Sequence, residues 1–153
     1  MIATLPLTDL LDRADIHLHF RAGSIVEAIP QLLRPALVRR VHDLQLVNTI
    51  IDAAIKREED TPTTCGALAL PHARNTDLQN FVLTLGANAE GVIDGHPNLR
   101  LIFAFASPES KREQHLQLLA SLARLSQNPK VIDQIVSAAD ANAVMEILRN
   151  AGV

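Results

Sequence analysis

The residues with the clearest chemical potential stand together in Leu68-Ala69-Leu70-Pro71-His72-Ala73-Arg74. A short apolar run stops at a proline, a histidine follows directly, and an arginine comes two residues later. This spacing predicts an imidazole held just past a strand end, at the rim of a sheet, where ligands of α/β folds tend to sit. A histidine with pKa near 6.5 is largely neutral at neutral pH. Its free ring lone pair can attack a phosphorus centre without a separate base. The same spacing also suits a strand-end histidine with no chemical role.

The other signals narrow the field. Gly86 and Gly91 have Walker A spacing, but Val92-Ile93 follows where Lys and Ser or Thr belong, and no GxGxxG, GxSxG or HExxH occurs. Neither a nucleotide, a cofactor nor a catalytic metal is therefore expected. His17 and His19 are expected to share one strand face, with no third ligand beside them; His42 falls near a helix start and His96 in a turn. The single cysteine, Cys65, excludes an internal disulfide and a CxxC cluster, and reads as a small packed thiol.

Composition agrees. Of 153 residues, 48 % are hydrophobic and 20 % charged, as expected of one folded domain, taken as residues 1–153. Net charge is −3, with no tyrosine, no tryptophan and four phenylalanines. A nucleic-acid surface of basic stripes and aromatic platforms is thereby excluded. No apolar run approaches the roughly 20 residues that cross a bilayer. Met1 to Asp12 lacks a cationic segment followed by an apolar run, so a cytoplasmic location is expected.

Elements must position these residues. Ile16, Leu18 and Phe20 alternate with His17 and His19 as a strand. Ser24 and Glu27 form a capping box for a helix that contains Pro30, and Asp43 caps a second helix ending in Lys56-Arg57-Glu58-Glu59-Asp60. A loop, Thr61 to Gly66, precedes the Ala67–Leu70 strand. Phe81, Leu83 and Leu85 alternate as a further strand, and Leu99 to Phe105 is apolar enough to lie centrally. Asp94-Gly95 is read as a turn between them. Ser107-Pro108 is expected to open a long helix burying Leu116, Leu119, Ala120, Leu122 and Ala123. Asn128-Pro129 and Asp140 start two more, the last ending at Gly152. The class is α/β, a single domain with a mixed β-sheet flanked by helices.

Leu68-Ala69-Leu70-Pro71-His72-Ala73 resembles the phosphorylation-site motif of the enzyme IIA domains of the phosphoenolpyruvate-dependent sugar phosphotransferase system. The similarity is to the mannitol/fructose class, which includes the nitrogen-regulatory IIA proteins. It extends from about Asp9 to Leu148, through Ile55-Lys56-Arg57-Glu58, Asp94-Gly95-His96-Pro97 and His115-Leu116-Gln117-Leu118-Leu119. The resemblance implies a cytoplasmic phosphocarrier whose first histidine, matched by His72, takes phosphate from HPr or a nitrogen-branch relative. The second histidine, matched by His115, donates a hydrogen bond to the phosphoryl oxygens. Delivery is to a IIB cysteine, or the phosphorylation state itself signals. Arg57 matches a family position near the site, and Arg74 is the weaker candidate for phosphate contact. The loop Thr61-Pro62-Thr63-Thr64-Cys65-Gly66 is one residue shorter than the family's glycine-spaced loop. Proline and β-branched residues cannot take every glycine conformation there. That departure motivates an alternative: a regulatory binding module with weak or lost phosphorylation.

Overall fold

The computed structural model describes residues 4–153; Met1–Ala3, part of the stretch read for a secretion signal, lie outside the described residues. The first strand, β1 (Leu11–Leu18), is followed by helices α1 (Ile25–Arg40) and α2 (Leu44–Asp60). Three short strands come next: β2 (Thr64–Cys65), β3 (Leu68–Ala69) and β4 (His72–Asn75). The long strands β5 (Val82–Ala87) and β6 (Leu101–Pro108) precede α3 (Arg112–Ser126), α4 (Pro129–Val136) and α5 (Ala141–Ala151). No helix among the described residues is long and apolar enough to cross a membrane.

Local hydrogen bonds explain where the helices begin. Ser24 Oγ accepts from Glu27 N–H, Asp43 from Gln45 and Leu46, Asn128 from Val131, and Asp140 from Ala143. Each cap satisfies backbone donors that the first helical turn leaves free. Pro30 and Pro35 both lie inside α1. The predicted caps of α2, α4 and α5 and the Gly152 terminus of α5 are present, and the Ser24–Glu27 capping box is present in its Ser24 half.

The sheet is mixed, in the order β1-β5-β6-β3-β2, with β4 also on β6. β6 is central: β5 pairs with it antiparallel, β3 and β4 parallel. Its side chains sort by size. Leu101, Phe103 and Phe105 pack with α3, α4 and α5, whereas Ile102, Ala104 and Ala106 face α1 and α2. Both faces are therefore covered, which makes every residue of β5 and β6 buried. This is the α/β sandwich expected, but several boundaries differ.

His72 does not follow a strand at the rim; it opens β4, opposite Phe105 within the sheet. Pro71 cannot donate to the ladder, yet its carbonyl accepts from Phe105 N–H at 3.1 Å, so pairing with β6 resumes immediately beyond it. The expected loop Thr61–Gly66 ends in a hairpin. Thr64 and Cys65 pair with Ala69 and Leu68, and Gly66 supplies the positive φ (59°) that the two-residue turn needs. His19 also has positive φ (57°) and lies beyond β1, so it does not share a strand face with His17. Ser107 and Pro108 do not open α3: they end β6, paired with Arg74 and Asn75 of β4.

The buried face of α3 is also rotated from the expected one. His115, Leu118, Ser121, Leu122 and Leu125 point inward, while Leu116 and Ala123 are exposed. The inward polar side chains have partners: Ser121 Oγ accepts from Leu5 N–H at 2.8 Å, and His115 meets Ser107. Apolar periodicity alone cannot register a face that carries two hydrogen-bonded polar residues.

Candidate functional site

Strands β4 and β6 run parallel with His72 beside Phe105 and Arg74 beside Ser107. Alternation puts these four on one face of the sheet, the face covered by α3. The His72 ring lies flat on Phe105, with centroids 4.6 Å apart and planes within 6°. His115, from the first turns of α3, completes the group. Its ring centroid is 5.4 Å from that of His72, tilted by 53°. The two sequence-predicted histidines are thus adjacent, and both are buried.

Hydrogen bonding assigns the protons of His72. Its Nδ1 lies 2.8 Å from the carbonyl oxygen of Leu70. A carbonyl only accepts, so Nδ1 carries the proton and Nε2 keeps its lone pair. Nε2 is buried and has no hydrogen-bond partner among the described residues. Burial lowers the His72 pKa, the Leu70 carbonyl opposes this, and the charges of Arg57 and then Arg74 lower it further. His115 is pushed down to about 4, first by burial, then by His72, Arg74 and Arg57. Both rings are therefore neutral at neutral pH.

The two arginines differ in placement. Arg57 is exposed near the end of α2, beside a cleft of about 380 Å³ that Lys56, Asp60 and Thr61 also line. Arg74 is half-buried, donates from Nη2 to the Glu109 carbonyl at 3.2 Å, and leaves a buried Nε unpaired. Both act electrostatically on the histidine pair. A second cleft, of about 410 Å³, lies between the start of α1, Glu58 and His96, and neither His72 nor His115 lines it.

The arrangement presents a ring nitrogen with a free lone pair, a neighbouring imidazole and nearby positive charge, a combination chemically suited to handling an anionic group such as phosphoryl. A model of the family described as phosphoenolpyruvate-dependent sugar phosphotransferase system, EIIA 2, matches residues 9–151. The chain belongs to this family. EIIA 2 domains are phosphotransferase components, which gives the chain a phosphocarrier or regulatory role in general terms.

Relatives of this EIIA 2 chain carry both kinds of name. It is 24 % identical over 149 residues to the fructose-specific EIIABC component of Bacillus subtilis, covering 94 % of this chain. It spans only 23 % of the length of that relative. It is 33 % identical over 105 residues to the nitrogen regulatory protein of Pseudomonas aeruginosa, covering 65 % of this chain and 68 % of that one. The fold is that of the nitrogen regulatory protein IIA-Ntr of Neisseria meningitidis (TM-score 0.77, 20 % identity, 93 % of this chain and 98 % of that one). It also matches the Escherichia coli mannitol enzyme IIA, solved in complex with phosphorylated mannitol enzyme IIB (TM-score 0.71, 23 % identity, 92 % and 97 %).

Two features of the candidate site were not among the sequence-derived candidates: Phe105 under His72 and Ser107 behind His115. The β4–β6 register sets the first and the packing of α3 on β6 the second, and neither is local in sequence. Cys65, by contrast, is a half-buried thiol 3.3 Å from Ser126 Oγ.

Proposed function

We propose that the chain is a histidine phosphocarrier that takes a phosphoryl group from phosphorylated HPr, or its nitrogen-branch relative, onto His72 Nε2. The group then passes to a IIB cysteine, or its presence signals to a regulated partner. These partners belong to the cytoplasm, and the chain would work there. The observation that carries this reading is the unpartnered Nε2 of His72, fixed as the lone-pair nitrogen by Leu70 and set beside His115.

In the proposed step the Nε2 lone pair forms the new N–P bond while the donor histidine's N–P bond breaks. Its electron pair returns to the donor ring. The Nδ1–H bond to Leu70 stabilises the positive charge that phosphorylation places on the His72 ring. His115 donates to a phosphoryl oxygen, and Arg57 and Arg74 offset the negative charge spread over those oxygens. Delivery reverses the process, with the acceptor sulfur attacking phosphorus and His72 recovering its lone pair.

A second reading has its own observation. Nε2 is closed to solvent and the loop before β3 carries Pro62 and Thr63, which suits a regulatory module with weak or lost phosphorylation. Incubation with phosphoenolpyruvate, enzyme I and HPr distinguishes them. The carrier should gain one phosphate, labile to acid and stable to base, and His72→Ala should gain none. His115→Ala should still accept phosphate but transfer it, in loading and in delivery, about 10²–10³ more slowly, the usual effect of losing one transition-state donor. Unchanged wild-type mass with both types of HPr overturns the carrier reading. Phosphate on His115 in His72→Ala would reverse the assignment.

A further inference from the structure

We propose that Ser107 is a positioning residue: its hydroxyl donates to Nδ1 of His115 and so fixes the proton of that ring on Nε2, the nitrogen left to donate to phosphate. This deepens the phosphocarrier reading and rests on it.

Ser107 Oγ lies 2.8 Å from His115 Nδ1, and neither residue is appreciably exposed. An imidazole Nδ1 can donate or accept, as can a hydroxyl, so distance alone does not set the direction. The surroundings do. Among the described residues Ser107 Oγ has this one side-chain hydrogen bond. Were Nδ1 the donor, the serine proton would be left in the interior without an acceptor, an arrangement that native interiors avoid. With the hydroxyl as donor, its proton and the Nδ1 lone pair are both satisfied.

The consequence follows from protonation state. His115 is neutral at neutral pH, held so by burial and by the neighbouring His72, Arg74 and Arg57. A neutral ring has a single N–H, and its tautomer therefore decides whether the free nitrogen donates or merely presents another lone pair. Next to phosphoryl oxygens, a lone pair would repel. His72 is set by the same logic from the opposite side, since the Leu70 carbonyl takes its Nδ1–H and leaves Nε2 as the nucleophile. One carbonyl acceptor and one hydroxyl donor thus give two adjacent imidazoles opposite functions at the same ring nitrogen. The scaffold supporting this is the central strand of the sheet. Ser107 and Phe105 lie two residues apart on β6, so a single strand both stacks His72 and orients His115.

The test uses ¹⁵N-histidine-labelled protein and phosphorylated HPr. The ¹⁵N spectrum of the unphosphorylated wild type should show His115 protonated on Nε2 and unprotonated on Nδ1. Ser107→Ala should lose that fixed tautomer and load His72 about tenfold more slowly, at unchanged final extent, as expected from one buried hydrogen bond. Ser107→Thr, which keeps the hydroxyl, should restore both readouts. A wild-type His115 protonated on Nδ1 overturns the proposal, as does wild-type loading by Ser107→Ala. Failure of a folded Ser107→Thr to restore the rate assigns the effect to packing and also overturns it. If the wild type takes no phosphate, the carrier reading fails, while the tautomer spectrum still judges the Ser107 bond.

Discussion

Acidification should destabilise the protein through His115. An unfolded histidine titrates near 6.5, whereas the folded site holds His115 at about 4. Above the unfolded value both states are neutral and the full stability is present. As pH falls below about 6.5 the unfolded chain binds a proton that the folded chain refuses, so stability declines until the folded pKa is reached. At 1.36 kcal/mol per unit, lowering the pH from 7 to 4.5 costs about 2–3 kcal/mol through this residue. His72, whose pKa is also lowered, adds a loss of the same sign. Carboxylates titrate in the same window, so the measurement must be differential. Urea unfolding of wild type and His115→Gln, run at several pH values, isolates the contribution. The gap in unfolding free energy between them should narrow by about 2–3 kcal/mol as the pH falls, because glutamine cannot titrate. Parallel curves would refute the reasoning, since they would mean that His115 is as readily protonated in the fold as outside it.

Two further perturbations probe the scaffold. Gly86→Ala should cost about 1–3 kcal/mol in thermal or urea unfolding, because its Cβ would stand 2.8 Å from Phe20 Cδ2 and 3.0 Å from Ile102 Cγ2; an unchanged midpoint would show that Phe20 moves aside freely. Asp15→Asn should cost about 1–3 kcal/mol, because the buried Asp15 carboxylate pins β1 to Arg39 and, at 2.7 Å, to Arg40 at the end of α1. Asp12→Asn, whose exposed carboxylate is 3.9 Å from Arg40, should change stability by less than about 1 kcal/mol in the same assay.

Much of this fold is legible in one dimension because its signals are short in range. Ser24, Asp43, Asn128 and Asp140 cap helices through bonds to backbone two or three residues on, and those pairs sit side by side in the chain. The apolar density of Leu101 to Phe105 marks a strand covered on both faces, and so the centre of the sheet. His72 stands out because a proline and an arginine flank it, and His115 because its spacing from His72 resembles that in the mannitol/fructose IIA class. The errors have a common cause. Pro71 reads as the end of a strand, yet β6 lends it a partner and the pairing continues. Ser107-Pro108 reads as a helix start, yet β4 holds both residues extended. The inward face of α3 carries His115 and Ser121, which an apolar stripe does not include.

Sequence by itself therefore determined the five helices, the long strands, most caps and the two histidines, because helix and strand periodicity and capping depend on neighbours a few residues apart. Tertiary structure alone decided what those histidines touch and which groups meet their ring nitrogens. The parallel register of β4 on β6 lays His72 on Phe105, and the packing of α3 on β6 sets His115 against Ser107. The backbone between Leu70 and His72 turns a carbonyl onto Nδ1. Whether an imidazole offers a lone pair or a proton depends on which group meets its other nitrogen, and in the case of His115 that group arrives from β6, outside its own helix.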